Sequence, residues 1–150
     1  MKKLAIMVGV FLFSFGNSQA QELFDLIKSD INKEKRNMVS EAMDIKKENE
    51  TSFWQLYAEY EEASDKLVDM RGGNIKKFAD NYENLSEEIA NEIASTYLEI
   101  EAGRLKNKKT YYKKMKKVIG SIQASRFMQI MGRIQLIIDV QVAAEVPLLE

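Results

Sequence analysis

The sequence predicts an all-α domain of three long antiparallel helices preceded by a shorter N-terminal one. Three observations carry that expectation. Helix breakers are scarce: Pro147 is the only proline, and after residue 20 the glycines are Gly72, Gly73, Gly103, Gly120 and Gly132. Strong helix formers (Glu, Lys, Ala, Met) dominate, and no strand pattern is evident. Apolar residues recur at intervals of three and four, which a helix of 3.6 residues per turn gathers on one face.

The first 20 residues read as a cleaved leader rather than as part of the fold. Lys2 and Lys3 form a basic start, Leu4 to Phe15 an apolar run too short to span a bilayer, and Ser18-Gln19-Ala20 a small-residue cleavage site. The expectation is an exported, periplasmic chain cut near Ala20, leaving one domain over 21–150. With no cysteine there can be no disulfide and no lipid-anchored cysteine. Removing Lys2 and Lys3 leaves 20 bases against 23 acids, a net charge of −3. Bulk charge and export both argue against a nucleic-acid partner, and no later segment is apolar enough to cross a membrane.

In chain order, Leu23, Phe24, Ile27 and Ile31 mark a short amphipathic helix, and Met38, Val39, Ala42, Met43 and Ile45 resume an apolar face after a polar stretch. Phe53, Tyr57, Tyr60, Ala63, Leu67 and Met70 keep one face of a long helix that Ile75, Phe78 and Tyr82 continue. Gly72-Gly73 interrupts it, and a kinked continuous helix is favoured over a turn. A second long helix runs from Leu85 to Ile119, with Asn84 or Ser86 as its cap and Gly120 as its stop. A third follows, with Phe127, Met131, Ile134, Ile138 and Val142 on one side. Ile130, Ile137 and Val140 widen that stripe, which predicts the most buried helix of the set. Pro147 ends it.

Enzymatic chemistry is disfavoured. Without His or Cys the commonest general base, the soft metal ligands and the thiol nucleophiles are all missing. The carboxylates fall at helical spacing, as on a solvated face, and no loop alternates Asp and Asn as a Ca2+ site would. The expectation is a non-enzyme with no cofactor and no metal. The Met residues fall mostly on core faces and read as packing.

Charge is the informative feature. From Glu87 to Glu101 there are five acids and no base, and from Arg104 to Lys117 eight bases and no acid. Arg104, Lys106, Lys108, Lys109, Lys113, Lys114, Lys116 and Lys117, with Tyr111 and Tyr112 among them, form the candidate binding surface. Acids early and bases late suit the helix dipole, and such a split also pairs naturally with an antiparallel copy of itself. Eight bases in so short a run exceed what a helix end needs, however, and they cannot all lie on one outward face.

Several stretches together resemble the Spy/CpxP superfamily of bacterial periplasmic proteins, whose helices open on an LTxxQ motif. Ile45-Lys46-Lys47-Glu48-Asn49, followed by Phe53-Trp54, resembles one degenerate copy. Leu85-Ser86-Glu87-Glu88-Ile89 resembles a second, and Ile119 to Gln123 with Arg126-Phe127 a third. Phe53-Trp54-x-x-Tyr57, the Tyr111-Tyr112-Lys113-Lys114 run, Arg126-Phe127-x-Gln129 and Pro147-Leu148 resemble a branch associated with Bacteroidetes-type bacteria. Ile45, Lys46, Asn49 and Ile89 depart from the motif. The resemblance implies a long bent helical hairpin with extra helices, dimerising into a cradle. It implies an ATP-independent, stress-response chaperone for unfolded envelope clients, or a modulator acting on an envelope sensor protein. The alternatives are an adaptor for one specific partner, or a protein binding anions on lipid headgroups or cell-wall polymers.

Overall fold

The computed structural model describes residues 31–148. The predicted leader, the apolar positions Leu23, Phe24 and Ile27, and Leu149 lie outside the described residues. Two compact units divide the chain, Met1–Met38 and Val39–Glu150. Of the first, residues 31–38 are described and are helical. All described secondary structure is helical: α1 (31–42), α2 (Glu50–Asn81) and α3 (Glu87–Glu145), with 3-10 turns at Lys47–Asn49 and Tyr82–Asn84.

Helix α2 runs unbroken through Gly72-Gly73, so the pair does not make a turn. Its apolar stripe, continuous on both sides of the glycines, holds it against α3, and that packing outweighs about 1 kcal/mol of propensity lost per glycine. Helix α3 begins where Ser86, in extended conformation, accepts a hydrogen bond from the Ile89 backbone N–H at 3.2 Å. Ser86 rather than Asn84 is therefore the cap. The chain then stays helical to Glu145 except at Gly120, whose φ of 78° and ψ of 166° break the rod. L side chains essentially never occupy that region, so only glycine serves here.

Contacts fix the order of the three long segments. Lys77 pairs with Glu92, Asn74 Nδ2 donates to the Ile93 carbonyl at 3.0 Å, and Tyr60 meets Tyr111. Residue numbers fall on α2 as they rise on α3, so α2 and the first half of α3 are antiparallel. At Gly103 the helices approach closely: a Cβ there would lie 2.7 Å from Leu67 Cδ2. The half after Gly120 returns alongside α2, placing Phe127 against Phe53, Tyr57 and Tyr60, and Asp139 against Arg71.

The core lies between these segments. Val39, Phe53, Met115, Ala124 and Phe127 are fully buried, with Met43, Tyr57, Tyr60, Tyr111, Met131 and Ile134 around them. The aromatic rings meet edge to face, Phe53 and Phe127 at 5.9 Å and 90°. Such pairs add about 0.5–1.5 kcal/mol each beyond burial. One expectation fails here. The third helical stretch does bury Ala124, Phe127, Met131 and Ile134, but its stripe is narrower than expected, because Leu136, Ile137 and Val140 face outward at 63%, 44% and 62% exposure. Only Ile130 of the widening positions packs against the core. A stripe wider than the groove that receives it leaves its margin in solvent.

Candidate functional surface on α3

The run from Arg104 to Lys117 makes between three and four helical turns, so its side chains point in every direction around α3. The structure sorts them into three groups. Arg104, Tyr111 and Lys114 are taken up by the fold. Arg104 is ion-paired to Glu101 at 2.8 Å and lies 3.6 Å from Asp139. Tyr111 is buried and donates from its hydroxyl to the Glu59 carbonyl at 3.0 Å. Lys114 donates to Glu59 Oε2 at 2.7 Å and stands 4.8 Å from the Tyr111 ring centroid. The bond to Glu59 raises the Lys114 pKa above the usual lysine value, because it favours the charged ammonium.

Lys108 and Tyr112 are half-buried, with Tyr112 packed against the core cluster. The remaining lysines, Lys106, Lys109, Lys113, Lys116 and Lys117, are all exposed and have no ion-pair partner among the described residues. Their spacing of three and four places them on one outward face. Lys116 sits 5.9 Å from the Tyr112 ring centroid, so an aromatic edge borders the ammonium row. Leu105 and Ile122, at 52% and 84% exposure, add apolar surface before and after it.

The ten predicted surface residues therefore do not act as one patch. Five make an exposed stripe, two flank it, and three hold α3 in place. What the sequence reading missed are the partners that decide this: Glu59, which takes both Tyr111 and Lys114, and Asp139, which takes Arg71 and Gln135 and lies near Arg104. Both lie far from α3's basic run in the sequence, and no local pattern marks them.

The motif positions fall at helix starts. Ile45 packs on the core just before α2, and Asn49 closes the 3-10 turn by donating its N–H to the Lys46 carbonyl at 2.8 Å. Leu85 is half-buried beside the cap Ser86. Ile119 to Gln123 spans the break at Gly120. Phe53 and Phe127 meet in the core, and Trp54 stacks edge-on against Phe53 at 5.0 Å. Arg126 and Gln129 are exposed and line an open depression with Ser121, Ile122 and Ser125. These positions are mainly structural, two of them building the core itself.

Among the described residues, no group of three or more carboxylates is placed to hold a metal ion, and no helix is long and apolar enough to cross a membrane. Comparison with family models, with curated proteins and with solved structures returned no match.

Proposed function

We propose that this chain is a periplasmic, non-enzymatic protein that binds unfolded or partly folded envelope clients without ATP, in the manner of the Spy/CpxP proteins it resembles. In that reading the chain uses a long helical hairpin and works as a dimer. The single observation that carries it is the exposed stripe of Lys106, Lys109, Lys113, Lys116 and Lys117, none of them ion-paired within the described residues.

The chemistry suits weak, general capture. Unpaired ammonium groups attract acidic segments over a distance set by the Debye length, about 8 Å at physiological salt. The flanking Tyr112, Leu105 and Ile122 supply modest apolar contact that tolerates varied sequences. Neither part binds tightly alone, which permits release without an energy source.

The test is suppression of aggregation of a denatured acidic test protein across a salt series. Suppression at low salt should weaken as salt rises, and a Lys106→Glu, Lys109→Glu, Lys113→Glu, Lys117→Glu variant should lose most of it. Equal suppression by the variant would overturn the assignment. The same ammonium row also favours a second reading, attachment to phosphate-bearing lipid headgroups. Flotation with anionic vesicles, positive while aggregation assays stay flat, would select that one.

A further inference from the structure

The margin that the second half of α3 leaves in solvent is an ordered seam. Ile122, Arg126, Gln129, Arg133, Leu136 and Val140 follow one another at alternating steps of four and three, and every one is exposed. That alternation is the 3.5-residue period of a helix–helix seam. The six side chains therefore share one face for about 27 Å, aliphatic at both ends and cationic between. Ile122, Leu136 and Val140 are 84%, 63% and 62% exposed. Arg126 and Arg133 stand seven residues apart, two helical turns, and have no ion-pair partner among the described residues. From Ser121 to Ala144 the only acid is Asp139, which bonds to Arg71 and Gln135 instead.

We propose that this seam docks an amphipathic helix of another protein, one presenting two carboxylates seven residues apart among aliphatic side chains. Charge decides the partner. A guanidinium placed in a helix–helix seam is costly unless an acid meets it, and its planar fork takes a carboxylate in two parallel bonds. Acids at the same seven-residue spacing would meet Arg126 and Arg133 together, and the Gln129 amide between them can donate to either one. Aliphatic groups on either side of those acids would cover Ile122, Leu136 and Val140. Polar residues at such positions select a partner and its register.

The alternatives fit less well. Two copies of the seam, paired in either direction, gather four guanidinium groups and no carboxylate. A bilayer would take up the aliphatic ends, but the seam is one helix wide and half of its six side chains are polar. The seam shares only Ile122 with the surroundings of the lysine stripe, so the inference does not rest on client capture by the lysines.

The probe is a fluorescent synthetic helix of about three heptads with Leu at every d position and Glu at every a position, and a matching peptide carries Lys for Glu. In anisotropy titrations the Glu peptide should bind the parent at least roughly tenfold more tightly than the Lys peptide. Arg126→Glu, Arg133→Glu should invert that preference, a result that loss of folding cannot imitate. Leu136→Gln, Val140→Gln should weaken the Glu peptide without inverting the preference, because the charges remain. Equal affinity for the two peptides, absence of binding included, or a preference unchanged in the arginine variant, would overturn the inference. A difference in sedimentation between parent and arginine variant without peptide would assign the seam to a contact between copies and overturn it as well. So would flotation of the parent alone with anionic vesicles while neither protein takes the Glu peptide. Suppression of aggregation should be equal in parent and arginine variant, since every lysine of the stripe is retained. A variant that loses suppression and peptide together would make the seam part of the client surface, against the inference.

Discussion

Replacing Gly120 by alanine tests the fold at the point where α3 turns back, and two outcomes compete. An alanine that keeps the observed φ of 78° and ψ of 166° sits in a region side chains essentially never occupy, at a cost of about 1–3 kcal/mol. No clash adds to this, because a Cβ at Gly120 meets nothing within 4 Å. The alternative is to straighten α3 through the break, which gains about 1 kcal/mol of helix propensity. Straightening would strip the second half of α3 from α2 and expose Phe127, Met131 and Ile134, which are 0%, 6% and 5% exposed. Each is worth about 1.5–3 kcal/mol when buried, so the loss far exceeds the gain. The bend should therefore persist under strain. The variant is expected to lose about 1–3 kcal/mol, or roughly 3–5 °C in Tm per kcal/mol, with helical circular dichroism unchanged. Gly73→Ala is its counterpart: Gly73 lies inside α2 with nothing within 4 Å of a Cβ, so alanine there should add about 0.5–1 kcal/mol. A Gly120→Ala protein as stable as the parent, or one lengthened in small-angle scattering, would refute the reasoning.

Two further outcomes follow from the core. Phe127→Ala removes a fully buried ring with three edge-to-face partners and should cost about 4–5 kcal/mol in chemical denaturation, whereas Ile122→Ala, at 84% exposure, should cost little; similar losses would refute the placement of the second half of α3. Burial, and secondarily the Glu61 carboxylate, raise the Tyr60 phenol above its ordinary pKa of 10.0. The neutral phenol is thus favoured in the folded state, so its stabilisation is complete below pH 10.0 and is lost as pH rises through the higher folded value. Tyr60→Phe should blunt the alkaline loss of stability measured by denaturation at increasing pH, and an unchanged alkaline profile would remove Tyr60 from the cause.

How much of this was legible in the chain differs from residue to residue. The helix start at Asn84 or Ser86, the break at Gly120 and the end before Pro147 were readable, because caps and breakers act through the backbone within a few residues; only the structure chose Ser86 as the cap. So were Phe53, Tyr57, Phe127 and Met131 as inward positions, since periodicity alone fixes which residues share a face. Gly72-Gly73 was ambiguous for the opposite reason: two glycines weaken a helix everywhere, and only packing on both sides decides whether it continues.

The sequence by itself determined the helical class, the breakers at Gly120 and Pro147 and the charge split along α3, all properties of residues close together in the chain. Only the tertiary structure decided which bases are free. Glu59 takes Lys114, while Arg104 pairs with Glu101 and approaches Asp139, 35 residues away, whereas Lys106, Lys109, Lys113, Lys116 and Lys117 meet no acid among the described residues. A long-range pair such as Lys114 with Glu59 forms only when the chain closes a loop to bring its partners together, and the cost and geometry of that closure are set by the whole fold. The outward margin at Leu136, Ile137 and Val140 has the same origin, because the width of a groove belongs to two helices and is written in neither.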